Sequence, residues 1–299
     1  MMVLVITSSF DETSNYIIEQ YGSENFFRLN VDQLNRYDIC IGNYGWEISL
    51  GNKTITKEIT KSIYYRKPIL PNLDVFDKQY HTMIQRDIIA VINGIADSFD
   101  GRVLTRPSIL KKVENKVFQL VYAVENGINV PMSYIGNSNK ICEKLCGENE
   151  IIKPLTTGKT YGDNGWELYN TSIFNCFDDD VSSSPVYLQE YIRKKYEVRI
   201  TIVQEKIFAV RINTINQIDW RMDYIHHQYT VISCPIYIQE QCKKMMRDME
   251  INFGAFDYIV TPDDEWFFLE VNPNGQWLWL ELNQKINISE EIVNYLLEG

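Results

Sequence analysis

Two hairpin patterns in the last third of the chain constrain the fold most. Val198 to Val203 is β-rich, turns at Gln204-Glu205-Lys206, and returns as Ile207 to Ile212, so that Glu197 to Arg211 reads as one hairpin. Asn252 to Asn272 reads as a second, turning at Thr261-Pro262-Asp263-Asp264-Glu265. The second holds Asp257, within Phe256-Asp257-Tyr258-Ile259-Val260, and Glu270 and Asn272, within Phe267-Phe268-Leu269-Glu270-Val271-Asn272-Pro273. Antiparallel pairing brings positions near 257 and 270 side by side, and the period of two places Glu270 and Asn272 on one face. Two carboxylates and an amide oxygen suit Mg²⁺, a hard cation that also takes phosphate oxygens. An acidic hairpin facing water fits the same composition, but charges set in such apolar strands need a partner.

Upstream lie cations. Lys116 starts a predicted helix over Asn115 to Asn126, with apolar residues at Val117, Leu120, Val121 and Val124. Lys153 sits on a predicted strand, Glu150 to Leu155. Thr156 to Gly165, with Gly158, Lys159 and Gly162, reads as a mobile loop whose backbone N–H groups suit an anion. It is neither a Walker A nor a dinucleotide fingerprint, and taken alone it is a loop like any other. Arg199 and Arg211 fall on the two arms of the first hairpin, Glu197 shares the face of Arg199, and Arg221 follows within Asp219-Trp220-Arg221-Met222-Asp223. Each arginine alone fits a structural ion pair; three of them before a Mg²⁺-like triad point to phosphoryl chemistry.

The rest of the chain sets the class. Strand and helix alternate at the start: Val3 to Thr7, a helix from Glu12 to Tyr21, Asn25 to Asn30, Tyr37 to Gly42, Ser62 to Pro68, and a helix over Gln79 to Ser98. That is an α/β (α+β) pattern. Val186 to Ile192 is β-rich and Ile238 to Met249 helical. The 299 residues divide into three regions, 1–98, 99–185 and 186–299. With 29 basic against 40 acidic side chains the net charge is -11, which repels a phosphate backbone and argues against a nucleic-acid partner while leaving room for a local basic pocket. No apolar run is long enough to cross a bilayer, and Met1 to Ile6 reads as a first strand rather than a signal peptide. The 6 cysteines lack paired Cys-x-x-Cys spacing, although Cys142 and Cys146 share a face of a predicted helix. Thiols of this kind fit a reducing cytoplasm. Only 3 histidines occur, two of them adjacent, which argues against a histidine-based metal site.

Over about residues 99 to 299 these features fall in the chain order of the ATP-grasp superfamily, which the sequence resembles. Phe268 to Trp277 is the most specific part. Phe27-Arg28-Leu29-Asn30 with Asp32, and Tyr64-Tyr65-Arg66-Lys67-Pro68, are similar to motifs of the graspetide synthetases, the microviridin- and plesiocin-type peptide maturases. The second motif carries Arg66-Lys67 in place of the paired arginines of that pattern.

The resemblance implies an ATP-grasp fold: an N-terminal α/β pre-ATP-grasp domain, 1–98; a central subdomain, 99–185; and a C-terminal subdomain, 186–299. It implies ATP and Mg²⁺. Lys116 and Lys153 would hold the α/β-phosphates, Gln189, Glu190, Tyr191 and Ile192 would form the adenine hinge, and Glu197 would bind the ribose. Arg211 would join the nucleotide-binding set. Arg199 and Arg221 would contact the transferred phosphate and the carboxylate, and Asp257, Glu270 and Asn272 would hold Mg²⁺. Asp219 or Asp223 would take the nucleophile's proton, with nothing to select between them. The implied reaction phosphorylates an Asp or Glu side chain of a ribosomal precursor peptide and closes an ω-ester or ω-amide ring with Ser, Thr or Lys of the same peptide. The implied partners are that peptide, leader plus acidic core, and a second copy of the chain as a homodimer. Gln204-Glu205-Lys206 and the stretch 213 to 235 are the expected leader dock. Two other readings stay open: a ligase of the RimK-like group that adds free amino acids to a tail, and a module that binds nucleotide or peptide without chemistry.

Overall fold

The structure is a computed structural model that describes residues 1–138, 140–141, 150–156, 158–162, 165–174, 182–216, 218 and 227–298. The chain opens with β1 (Met2–Thr7), α1 (Glu12–Tyr21) and β2 (Phe26–Asn30). A small antiparallel meander follows, β3 (Asp38–Gly42), β4 (Gly45–Leu50) and β5 (Lys53–Thr56), then β6 (Thr60–Tyr65), α2 (Lys78–Asp97) and β7 (Arg102–Leu104). β2, β1, β6 and β7 make a parallel sheet in that order. β1 lies inside it, and its residues Val3 to Thr7 are all buried, as a strand covered on both faces requires. The carboxyl ends of such strands are where parallel sheets present side chains to ligands.

α3 (Pro107–Val113) and α4 (Lys116–Glu125) lead into a four-stranded antiparallel sheet, ordered β12-β9-β13-β8, built from β8 (Ser133–Gly136), β9 (Glu150–Lys153), β12 (Ser172–Phe174) and β13 (Val186–Glu190). Between β9 and β12, β10 (Lys159–Gly162) and β11 (Gly165–Leu168) pair as an antiparallel hairpin. A loop was expected over 156 to 165; its Thr and Tyr residues carry β propensity, and cross-strand pairing outweighs the glycines.

The last third is a five-stranded antiparallel sheet ordered β16-β15-β14-β17-β18. Its strands are β14 (Tyr196–Val203), β15 (Lys206–Asn213), β16 (Gln228–Val231), β17 (Phe253–Val260) and β18 (Trp266–Asn272). Both hairpins form where the sequence places them. The first turns at Gln204, which takes the left-handed φ of 51°. α5 (Ile236–Asp248) covers one face through Ile238, Cys242 and Met245, against Val198, Ile200, Phe256 and Tyr258. α6 (Leu278–Gln284) and α7 (Ile288–Leu297) cover part of the other. α7 also packs on the N-terminal sheet, where Ser62 donates to the Leu296 carbonyl at 2.8 Å. One apolar cluster therefore runs from Val3 and Val5 through Trp277 and Ile292 to Val203 and Ala255.

α4 forms where predicted, capped by Asn115, whose side chain accepts from the Val117 and Phe118 N–H groups. What it buries is Gln119 and Ala123, while Val117, Val121 and Val124 are exposed. Gln119 accepts from the Val271 N–H and donates to the Val271 carbonyl, both at 2.8 Å. It thus completes the outer edge of β18 as a neighbouring strand would. Among the described residues no helix is long and apolar enough to cross a membrane. Cys142 and Cys146 lie outside the described residues.

Candidate active site

One face of the five-stranded sheet changes character along its length. On β17 the inward series runs Phe253, Ala255, Asp257, Ile259; on β14 it runs Val203, Thr201, Arg199, Glu197. The first members pack under α6 and α7. The later ones open into a cavity of about 630 Å³. The register sets Arg199, Asp257 and Glu270 directly beside one another across β14, β17 and β18.

A β-bulge completes the row. Asp257 pairs with Glu270 but Tyr258 pairs with Phe268, so Leu269 is the extra residue. Without it, alternation from core-facing Phe268 would carry Glu270 into the core. With it, Leu269, Glu270 and Asn272 all line the cavity and Val271 remains buried. Asn272 Nδ2 donates to Glu270 Oε1 at 3.2 Å and to Asp257 Oδ2 at 3.5 Å. Arg199 Nη1 is 3.2 Å from Asp257 Oδ2, and Lys116 Nζ is 3.7 Å from Glu270 Oε2 and donates to the Pro154 carbonyl at 2.8 Å. The charges that the apolar strands demanded as partners are therefore Arg199 and Lys116.

The wall made by β9 and β13 carries the other expected residues. Lys153 lies over the Tyr187 ring, 5.9 Å from its centre. Gln189 is buried and donates to Ser133 at 2.9 Å and to Tyr187 at 3.2 Å. Glu190 ends β13, with its backbone N–H on the Met132 carbonyl, and Tyr191 and Ile192 leave the strand along the cavity. Ile151, Ile259 and Leu269 add apolar surface to the same lining. Glu197 is buried and paired with Lys194 at 2.5 Å.

Of the residues singled out from sequence, Lys116, Lys153, Gln189, Glu190, Tyr191, Ile192, Glu197, Arg199, Asp257, Glu270 and Asn272 line this one cavity. Arg211 does not. It pairs with Val198 on the opposite face, stacks over Tyr196 at 4.2 Å and donates to Asn213 at 2.8 Å. The parity of the hairpin turns it away from the cavity where the other expected nucleotide-binding residues meet. Arg221, Asp219 and Asp223 lie outside the described residues. So does part of the expected leader dock; Glu205, within the described part, pairs with Lys243 at 2.8 Å.

Other lining residues were not anticipated: Lys67, Glu114, Asn274, Gly275, Gln276, Trp279 and Asn283. Behind them Arg66, 1% exposed, donates to the Asn274 carbonyl and side chain at 2.8 and 2.7 Å, to the Gly275 carbonyl at 3.1 Å and to Gln276 at 2.5 Å. The end of β6 thereby clamps the segment just beyond Asn272. Arg28 and Asp32 do the same for the turn after β1: Arg28 donates to the Ser8 carbonyl at 2.6 Å, and Asp32 accepts from the Ser9 N–H at 2.7 Å. The Tyr64–Pro68 motif held the signal for Arg66 and Lys67, but nothing in its spacing says what they touch.

Among the described residues no cluster of three His, Cys, Asp or Glu side chains is placed to hold a metal. Asp257, Glu270 and Asn272 line one cavity, and two carboxylates with a side-chain amide are donor types that fit Mg²⁺, which keeps waters and phosphate oxygens as its remaining ligands. Lys116, Lys153 and Arg199 fit a polyphosphate, and Arg199 Nε is buried without a partner.

No protein-family model matches the chain, and no curated protein matches it. Solved structures do. The macrocyclase MdnC of Microcystis aeruginosa MRC, bound with its precursor peptide MdnA, is 26% identical, with 100% of each chain covered and a TM-score of 0.88. The RiPP-associated ATP-grasp ligase of Chryseobacterium gregarium, in complex with ADP and a leader and core peptide, is 24% identical, with 99% of this chain and 96% of that one covered and a TM-score of 0.89. The ATP-grasp ligase PsnB, complexed with minimal precursor, Mg and ADP, is 16% identical, with 99% and 96% covered and a TM-score of 0.76. With its site assembled by the same strands that build its fold, the chain has the ATP-grasp fold and is similar over its whole length to ATP-grasp macrocyclases and ligases of precursor peptides.

Proposed function

We propose that the protein is an ATP-dependent ligase that phosphorylates Asp or Glu side chains of a ribosomal precursor peptide and closes ω-ester or ω-amide rings with Ser, Thr or Lys of the same peptide. The observation that carries this reading is the row Arg199–Asp257–Glu270, with Asn272, fixed by register inside one cavity.

Lys116 and Lys153 hold the nucleotide phosphates. Gln189 to Ile192 and the apolar lining receive the base, and Glu197 the ribose. Asp257, Glu270 and Asn272 hold Mg²⁺, which when bound neutralises charge on the phosphates during transfer. A carboxylate is a poor electrophile because its oxygen leaves badly. Its attack on the γ-phosphorus forms a P–O bond and breaks the bond to ADP. The peptide hydroxyl or amine then attacks the carbonyl carbon, phosphate leaves, and the nucleophile's proton passes to a base. Arg199, one edge of its guanidinium on Asp257 and its Nε unpaired, stabilises the charge that develops at the transferred group. Arg221 would serve beside it, with Asp219 or Asp223 as the proton acceptor. The regions 1–98, 99–185 and 186–299 are proposed as the pre-ATP-grasp, central and C-terminal parts.

The peptide partner is proposed to dock its leader near Gln204-Glu205-Lys206 and 213 to 235, and the protein to work in the cytoplasm as a homodimer. Exposed Val117, Val121 and Val124 on α4 support a helix-mediated contact, and light scattering at working concentration tests it. The activity is tested by mass spectrometry of an acidic peptide encoded beside the gene, incubated with protein, ATP and Mg²⁺. Loss of one water per bond, with ADP formed, is expected, and mild base would open esters but not amides. Unchanged peptide mass, with ADP formed only when a free amino acid is added, would replace this reading with the tail-adding ligase. No ADP at all would leave a binding module.

A further inference from the structure

Among the described residues, one cation on the cavity lining is left over from the roles above, Lys67. It follows the carboxyl end of β6, the side on which a parallel sheet presents its ligand-binding residues. Its neighbours fix it from both sides. Arg66 is buried in the clamp on Asn274 to Gln276, and on the other side comes Pro68, whose ring fixes its own backbone. Between them Lys67 takes a φ of 44°, a left-handed conformation that a lysine rarely adopts. Such strain persists where the surroundings over-determine it, and here it aims the lysine into the cavity.

The chemistry of the first step needs a cation at such a place. Transfer brings a substrate carboxylate against a triphosphate, two anions that repel each other more strongly as water is excluded. Lys116 and Lys153 belong to the wall that takes the nucleotide phosphates, and Arg199 already faces Asp257. We propose that Lys67 is a catalytic residue that holds the acidic side chain of the peptide against Arg199 while it is phosphorylated, an assignment that rests on the ligase reading above. The charged groups that face Lys67 are Arg66, Asp11, Glu114 and Arg199. Asp11 lies 4.0 Å from the buried Arg66, which leaves Glu114, also on the lining, as the acid nearest in role. Burial first, then Arg66, pushes Lys67 down to about 8, whereas burial raises Glu114. A lysine so placed gains most by meeting an incoming carboxylate.

The test compares Lys67→Met and Lys67→Arg with the wild type, using the precursor peptide for turnover and Mg-ADP for binding. Lys67→Met is expected to keep Mg-ADP affinity within about 2-fold and to lower kcat/KM for the peptide about 10- to 100-fold, the range for one charged hydrogen bond. Lys67→Arg should recover most of the loss. It should also abolish an alkaline limb at or above pH 8 in the wild-type kcat/KM profile, because arginine does not titrate there. Wild-type turnover by Lys67→Met, or an equal loss of Mg-ADP affinity, would overturn the assignment while leaving the ligase reading intact. A wild type that forms no ADP with any acidic peptide would overturn both.

Discussion

Arg199 and Arg211 stand on the two arms of one hairpin, each paired one step from the other, Arg199 with Val210 and Arg211 with Val198. Arg199 reaches Asp257 in the cavity; Arg211 lies over Tyr196 on the other face. Two arginines that look equivalent in sequence thus differ in everything that matters for chemistry. Parity of register, rather than proximity along the chain, decides which of them reaches the cavity. The second hairpin adds the converse lesson. β17 keeps strict alternation, while β18 breaks it at Leu269, and that break brings Glu270 round beside Asp257.

The comparison is broken most forcefully at the acids. Asp257→Asn or Glu270→Gln is expected to lower turnover at least about 10²- to 10³-fold with an unchanged thermal transition, measured by ADP release and calorimetry. Near-wild-type rates from both would remove the metal assignment. Arg199→Met should cost about 10²-fold in kcat, whereas Arg211→Met should leave kcat within about 3-fold and cost roughly 0.5–1 kcal/mol of stability from the lost stacking on Tyr196. Similar losses from the two would mean that the faces do not divide as described. Gln119→Leu leaves both Val271 backbone groups unpaired at the edge of β18, at about 1–3 kcal/mol each. A lowered melting temperature is expected, with turnover impaired because the same helix carries Lys116.

The smallest effect is on pH dependence. Lys67 titrates near 8 in the folded chain against 10.5 for an ordinary lysine, so between these values the unfolded chain binds more protons. Its folding penalty is present in full below pH 8 and fades as the pH rises towards 10.5. Lys67→Met should therefore melt higher than the wild type at pH 7, with the difference shrinking above pH 8. A constant difference across that range would show that burial of the charge is not its cause.

Much of this was legible in the residues. Both C-terminal hairpins, α1, α2, α5 and the strand bearing Lys153 follow from apolar periodicity and turn residues, and the pairing of Asp257 with Glu270 from antiparallel geometry. The Leu269 bulge was present as an odd spacing between core residues Phe268 and Val271, a signal that period-two reasoning passes over. The face of Arg211 was also implicit in the hairpin register but needs the exact turn to read. Gln119 shows a different obstacle. A glutamine among valines on a helix reads as its polar face, yet it is the residue buried, because an unpaired strand edge needs a donor and an acceptor more than α4 needs apolar contact. Arg66 holds residues some 208 positions away, and no local pattern encodes that contact.

The most direct test of the site is calorimetric titration of ADP into the wild type and into Asp257→Asn/Glu270→Gln, with and without Mg²⁺. ADP binding that strengthens with Mg²⁺ in the wild type, and loses that dependence in the double variant, is the expected result. The same Mg²⁺ dependence in both proteins would contradict the central claim that register-aligned Asp257 and Glu270, with Asn272, form the metal–nucleotide site.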